Sequence, residues 1–327
     1  IERLGDIYAE LGEYEEAQKL YEQALKIQQG SAQIKDKLEA ATNKQPSDLY
    51  IRAKSPEMGL AEAFYDMGRL LSQEYSDESA RVFARMGAYI DPTFLDNTFL
   101  LANIAIRNER LDDAVALFES VPEGGEEYLS ARRSMAEILA EQNRTDEAIQ
   151  HLEELVDSYN DLESMIQIGD IHRSEEDFPK AIQAYNHAAE KITDMYGKIP
   201  EDYWHLFYVR GMSYEQNDQW KNAEADLQSA LDFQPDHPYV LNYLGYAWAD
   251  QGENLDRALD MISKAVELRP NDGYITDSLG WVYYRMGRYQ EAVPYLEQAV
   301  ELLPYDPVIN DHLGDAYWKV GRKLEAK

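Results

Sequence analysis

A glycine returns at a nearly constant interval through the second half of this chain, and no other feature constrains the fold as strongly. Gly211, Gly245, Gly280 and Gly314 stand 34, 35 and 34 residues apart. Each is followed three residues later by an aromatic: Tyr214, Trp248, Tyr283 and Tyr317. About 12 residues after the glycine comes an alanine (Ala223, Ala258, Ala292, Ala326). Then follow an apolar residue (Leu227, Ile262, Leu296), a second alanine (Ala230, Ala265, Ala299) and a closing proline (Pro235, Pro270, Pro304). A period of this length marks supersecondary units that cannot bury their apolar faces alone and must stack on their neighbours.

The residue types fit two antiparallel helices per unit, here called A and B. Small residues, Gly on A and two Ala on B, stand where the backbones approach most closely. Aromatic and Leu positions fill the space between those contacts. Proline ends helix B and turns the chain into the next unit. The pattern also runs toward the N-terminus. Residues 162–203 hold Gly169, Ala181, Tyr185 and Ala188; residues 129–161 hold Ala136, Ala148 and Leu152. Residues 95–128 hold Ala102, Ala114 and Phe118, and residues 61–94 hold Gly68, Ala80 and Pro92. The first unit, 1–31, holds Gly5, Tyr8, Ala17, Tyr21 and Ala24.

This is the pattern of the tetratricopeptide (TPR) repeat, which the chain resembles along nearly its whole length. The resemblance implies an all-α fold: a right-handed superhelix, or α-α solenoid, of about eight helix-turn-helix repeats plus a partial terminal one. The expected organisation is an N-terminal repeat plus an extra helix over 1–43, a linker or hinge over 44–60, and a main array over 61–327. Its units are 61–94, 95–128, 129–161, an extended 162–203, 204–237, 238–272, 273–306 and a partial 307–327. In 32–43 Glu39 occupies the small-residue position, and 44–60 carries two prolines without a helical period. In 191–204 eight residues beyond the standard spacing predict a longer helix B and a loop at Gly197 to Pro200. The chain opens at Ile1 and stops at Lys327 inside repeats, so it is expected to be part of a longer protein, with the apolar face after its last helix A left open.

Composition removes several function classes. With 31 basic and 62 acidic residues the net charge is −31, which disfavours nucleic acid or an anionic membrane surface as partner and favours a neutral to basic protein. The acidic excess lies mainly before residue 238. The chain has no cysteine, so disulfides and thiol chemistry are excluded. The longest apolar run, 99–106, is far short of a membrane span. The six histidines lack metal-ligand spacing; His172 and His187, facing across one helix pair, read as polar packing. No nucleophile elbow, phosphate loop or dinucleotide fingerprint is present. The expected function is therefore not enzymatic, and no cofactor or metal is expected.

Positions 2, 5, 9 and 12 of helix A form one stripe on the face opposite the packed one. That stripe reads His205, Tyr208, Met212 and Glu215; then Tyr239, Asn242, Tyr246 and Ala249; then Tyr274, Asp277, Trp281 and Tyr284; then Val308, Asp311, Asp315 and Trp318. Rings interleaved with Asn and Asp suit a peptide-binding groove: rigid contact area with polar handles. Asn242 can pair with an extended backbone, and Asp277, Asp311 and Asp315 would favour Lys, Arg or a free amino group. TPR domains that clamp an acidic chaperone C-terminus use Lys and Asn on this stripe, and no matching Lys is present here.

The segment from Tyr239 (YVLNYLGYAWADQG) through LDRALDMISKAVELRPNDGYITDSLGWVYYRMGRYQEAVPYLEQAVELLPYDPVINDHLGDAYWKVGR resembles exported proteobacterial TPR proteins, some of them outer-membrane lipoproteins that act as protease adaptors. The likeness is closest over 204–327. It implies a periplasmic adaptor, outer-membrane anchored in the full-length protein, holding an extended protein segment for an envelope protease. The alternatives are a structural component of an envelope assembly, a regulatory region of an enzyme whose catalytic domain lies elsewhere, and a cytoplasmic location.

Overall fold

The computed structural model describes residues 1–27, 32–45 and 55–327. Among these residues there are eighteen α-helices, one 3-10 turn at Glu201–Tyr203 and no strand. Compact units form at Ile1–Ile138 and Leu139–Lys327.

The first unit begins with α1 (Glu2–Glu10), α2 (Tyr14–Ile27) and α3 (Ala32–Thr42). Helix α3 packs on α2 and buries Ile34 and Ala41. It also buries Lys37, whose ammonium donates to Asp6 at 3.0 Å and Glu2 at 2.6 Å, while the Tyr21 hydroxyl donates to Asp6 at 2.7 Å. A buried ammonium is tolerated only when its charge and protons are answered in this way. Most of the expected linker, 46–54, lies outside the described residues. Its last part is helical: α4 (Pro56–Gln73) starts five residues before the expected unit boundary at 61. The Ser55 hydroxyl caps the Met58 N–H, and Pro56 opens the first turn, where no N–H is needed. The unit continues with α5 (Asp77–Ile90), α6 (Asp96–Arg107), α7 (Leu111–Glu119) and the start of α8 (Gly125–Glu141).

The second unit holds the end of α8, then α9 (Thr145–Tyr159), α10 (Leu162–Ser174), α11 (Phe178–Tyr196), α12 (Trp204–Gln216) and α13 (Trp220–Phe233). It ends with α14 (Pro238–Gln251), α15 (Leu255–Leu268), α16 (Gly273–Arg285), α17 (Tyr289–Leu302) and α18 (Pro307–Val320). Helix α11 runs on to Tyr196 and stops where Gly197 takes a left-handed cap (φ 74°). Apolar residues form a core that passes from one repeat into the next. Leu227 and Ala230 of α13, Leu244 and Trp248 of α14, Ile262 of α15 and Leu279 and Val282 of α16 belong to one cluster.

The repeating glycine has a steric reason. A methyl group on Gly280 would lie 2.5 Å from Leu296 Cγ, and one on Gly169 would lie 2.4 Å from the Tyr185 ring. Seven residues after each small A-helix position the chain turns into helix B through a positive φ. Gly12, Gly252, Gly287 and Gly321 supply it at no steric cost, but Tyr75, Glu109, Glu176 and Asp218 adopt it as well. For side-chain-bearing residues the left-handed region costs about 1–2 kcal/mol, a cost the packing on either side of the turn offsets. After α18 the chain's last turn lies where helix B would begin. The Ala326 carbonyl is the nearest atom to the Gly314 Cβ direction, at 3.7 Å, and the Arg322 guanidinium donates to Glu297 at 2.7 Å above the Tyr317 ring. The face expected to be open is therefore partly covered by the chain itself.

Candidate protein-binding face of the A helices

In the second unit successive A helices touch, α14 with α16 and α16 with α18, whereas neighbouring B helices make no comparable contact. Closer A helices make the A side the inner face of the array. Two of them are capped alike: Asp272 and Asp306 precede α16 and α18, and each carboxylate accepts from two N–H groups of the first turn. This fixes the register in which the stripe residues leave the helix.

The structure divides the expected stripe into two groups. Asn242, Tyr246, Asp277, Trp281 and Tyr284 belong to a packed layer. The Asp277 carboxylate is only 5% exposed and is held by His312 Nδ1 at 2.9 and 3.1 Å. Trp281 stacks on His312 at 4.0 Å (15°) and on Tyr284 at 4.8 Å (7°). Tyr284 meets Tyr289 edge-on at 5.2 Å and its hydroxyl reaches Asp315 at 3.5 Å. Burial pushes the Tyr246 phenol up to about 12, with the Asp250 and Asp277 charges adding to the shift. One expectation is thereby corrected. Asp277 does not stand free for a basic ligand, because its carboxylate is buried against the His312 ring. Trp281 is half-buried, with the His312 and Tyr284 rings stacked on it. Tyr208 is half-buried as well: it packs edge-to-face on Tyr243 at 6.1 Å, and burial raises its pKa.

The second group faces solvent. Tyr239 is 41% exposed, Tyr274 60% and Trp318 53%. Arg269 lies over the Tyr239 ring at 5.7 Å and Lys323 over Trp318 at 4.9 Å. Asp311 and Asp315 are exposed on α18, and Asp250 on α14 pairs with Arg285 at 3.1 Å.

Sequence reading missed the partners of the packed layer: His312, Tyr243, Trp204 and His237. Trp204 lies against His237 at 4.4 Å, and Tyr243 donates to Glu215 at 3.0 Å. A signal for two of them was present. Asp277 meets His312 and Tyr208 meets Tyr243 across the same separation of 35, one 34-residue repeat plus one. Position 5 of one A helix thus meets position 6 of the next. Three atoms of the layer, His237 Nδ1, Asn242 Oδ1 and Trp281 Nε1, are buried without a hydrogen-bond partner among the described residues. Unpaired buried polar atoms of this kind are uncommon in native proteins and call for a partner.

Antiparallel helix pairs stacked at a 34-residue period, with a ring-bearing inner face, define a helical-repeat protein. Signatures of the tetratricopeptide repeat match residues 2–31, 208–273 and 252–304, and that of a tetratricopeptide repeat-like domain matches 59–199. The chain is a tetratricopeptide-repeat protein. A TPR repeat-containing protein of Pseudomonas aeruginosa is 31% identical over 194 residues, 58% of this chain and 32% of that protein. A BBSome complex member of Bos taurus is 31% identical over 117 residues, 36% of this chain and 20% of that protein. The chain thus spans a third or less of these two relatives. Among solved structures, MamA of Desulfovibrio magneticus covers 54% of this chain and 96% of its own, at 20% identity and a TM-score of 0.45.

Proposed function

We propose that the protein is a non-catalytic scaffold or adaptor whose A-helix face in the second unit holds an extended segment of another protein. The observation that carries this reading is the exposure of Tyr239, Tyr274 and Trp318 beside the carboxylates of Asp311 and Asp315. Large amphipathic rings exposed on an inner face are poorly explained by packing and well explained by recognition. The carboxylates favour a neutral to basic segment. The sequence resemblance over 204–327 extends the reading to a periplasmic adaptor that presents the segment to an envelope protease.

The groove is tested by fluorescence anisotropy with labelled extended peptides of neutral and basic composition. Tyr239→Ala, Tyr274→Ala and Trp318→Ala together are expected to weaken binding at least tenfold while leaving the helical signal unchanged. Full affinity in the triple variant would rule this face out. Export is tested by fractionation of cells expressing the full-length protein; recovery in the cytoplasm alone would remove the envelope role.

A further inference from the structure

A second surface, on the B-helix side of the first unit, has the opposite chemistry. Helices α5 and α7, the B helices of consecutive repeats, stand apart and leave a cleft of about 320 Å³ over α6. Its floor is apolar: Leu101 and Ala105 of α6 are buried, and Leu117 closes it from α7. Its rims carry three arginines and one carboxylate, Asp113. Arg81 and Arg85 leave α5 one turn apart, and Arg110 enters from the α6–α7 turn. Arg81 is held by Glu78 of its own helix at 2.5 Å, and Arg110 approaches Asp113 at 3.6 Å. Both are i,i+3 pairs at the surface, which a better-placed carboxylate displaces at little cost. Arg85 is exposed and forms no ion pair with the described residues.

Along the same helix Val82, Met86 and Tyr89 form an exposed stripe beside the arginines. Val, Met and Tyr at i, i+4 and i+7 lie outside the buried face of α5, which packs inward through Ala80, Ala84 and Gly87. Exposed Met and Tyr flanked by Arg, without Lys, is the composition of a protein-binding patch rather than of a solvated face.

We propose that this cleft docks an acidic amphipathic helix of a partner protein, separately from the A-helix face. Three guanidiniums against one lining carboxylate, Asp113, are a local excess of positive charge in a chain of net charge −31. Such an excess selects carboxylates, which Arg binds bidentately. A trough between two parallel-running B helices with an apolar floor accepts a third helix through anchors at i, i+3 and i+7. The acidic positions of that helix lie over Arg81, Arg85 and Arg110, and its apolar positions lie over Leu101, Leu117 and Met86.

The test is anisotropy with the intact chain and a labelled synthetic helical peptide carrying Leu anchors flanked by Glu. Sister peptides carry Gln or Lys in place of Glu. The Glu peptide is expected to bind in a salt-sensitive manner, the Gln peptide at least tenfold more weakly, and the Lys peptide not at all. Arg81→Glu with Arg85→Glu is expected to abolish binding. The milder Arg85→Gln, at an exposed site that leaves folding intact, is expected to weaken it about fivefold. Tyr274→Ala and Trp318→Ala are expected to leave it unchanged, which separates this site from the A-helix face. Equal binding of the Glu and Lys peptides would overturn the proposal. So would insensitivity to both arginine variants, displacement of the peptide by millimolar inorganic phosphate, or arginine-dependent self-association of the chain that accounts for the occupancy.

Discussion

Replacing the repeat glycine by alanine at Gly169, Gly280, Gly245 and Gly211 changes one methyl group at one equivalent position in four repeats. The surroundings differ in a graded way. The added Cβ would lie 2.4 Å from Tyr185, 2.5 Å from Leu296, 2.8 Å from Ile262 and 3.0 Å from Leu227, respectively. Helix propensity alone favours alanine by about 0.8–1.0 kcal/mol at every site. Overpacking opposes it by about 1–3 kcal/mol, and more where the obstacle cannot move. At Gly169 the obstacle is a fully buried ring whose hydroxyl is held by Asp170 at 2.7 Å, and at Gly280 the Leu296 backbone nitrogen is also close, at 3.2 Å. These two substitutions are expected to cost about 2 kcal/mol net. At Gly211 the two effects nearly cancel, with a net change within about 0.5 kcal/mol. Gly245→Ala falls between them. Guanidinium melts followed by circular dichroism give the order of midpoints, with hydrogen exchange on the mutated repeat as a local check because repeat arrays need not unfold in one step. Four equal shifts, or four stabilisations of the size that propensity predicts, would refute the argument that close helix approach sets the period.

Trp281→Ala, by emptying the stack between His312 and Tyr284, is expected to lose about 3–5 kcal/mol of stability, whereas Tyr274→Ala at its exposed site changes stability by less than about 0.5 kcal/mol; thermal melts of the two variants separate the packed and open parts of the stripe. Glu176→Gly removes a side chain from a left-handed turn (φ 59°) and is expected to stabilise by about 1 kcal/mol, read from the shift in denaturation midpoint. The Tyr317 hydroxyl and the Arg322 guanidinium hold the Glu297 carboxyl below its ordinary value. Its contribution is therefore complete above the unfolded carboxylate pKa of about 4.3 and is lost as pH falls through the lowered folded value; Glu297→Gln should flatten that part of an acid titration of stability. His172 is shifted down by burial first and by Lys180 second, so its contribution is complete above its unfolded pKa near 6.5 and fades as the ring is forced to protonate at lower pH; NMR titration of the imidazole checks the direction.

Much of the architecture was readable from residue spacing. Gly245, Gly280 and their alanine partners recur because two backbones approach at those points, and that demand leaves the same mark in every repeat. The extension of α11 past Ala188 was readable for the same reason, since eight surplus residues must go somewhere. The early start of α4 was not, because a Ser55–Pro56 start gives a local capping signal that the repeat register does not contain.

The binding face was only half readable. Helical periodicity places Tyr239, Tyr274, Asp277, Trp281 and Trp318 on one stripe, and it does so from this chain alone. Periodicity says nothing about what the next A helix brings alongside. Tyr274 stays open and Trp281 is half-buried because His312, one repeat and one residue away from Asp277, pairs with that carboxylate and stacks on the neighbouring indole. The chain's own pattern therefore determines which residues share a face, since that depends on rotation about one helix axis. Which of them remain free to meet a partner depends on contacts between residues far apart in sequence, and those exist only once the repeats have stacked.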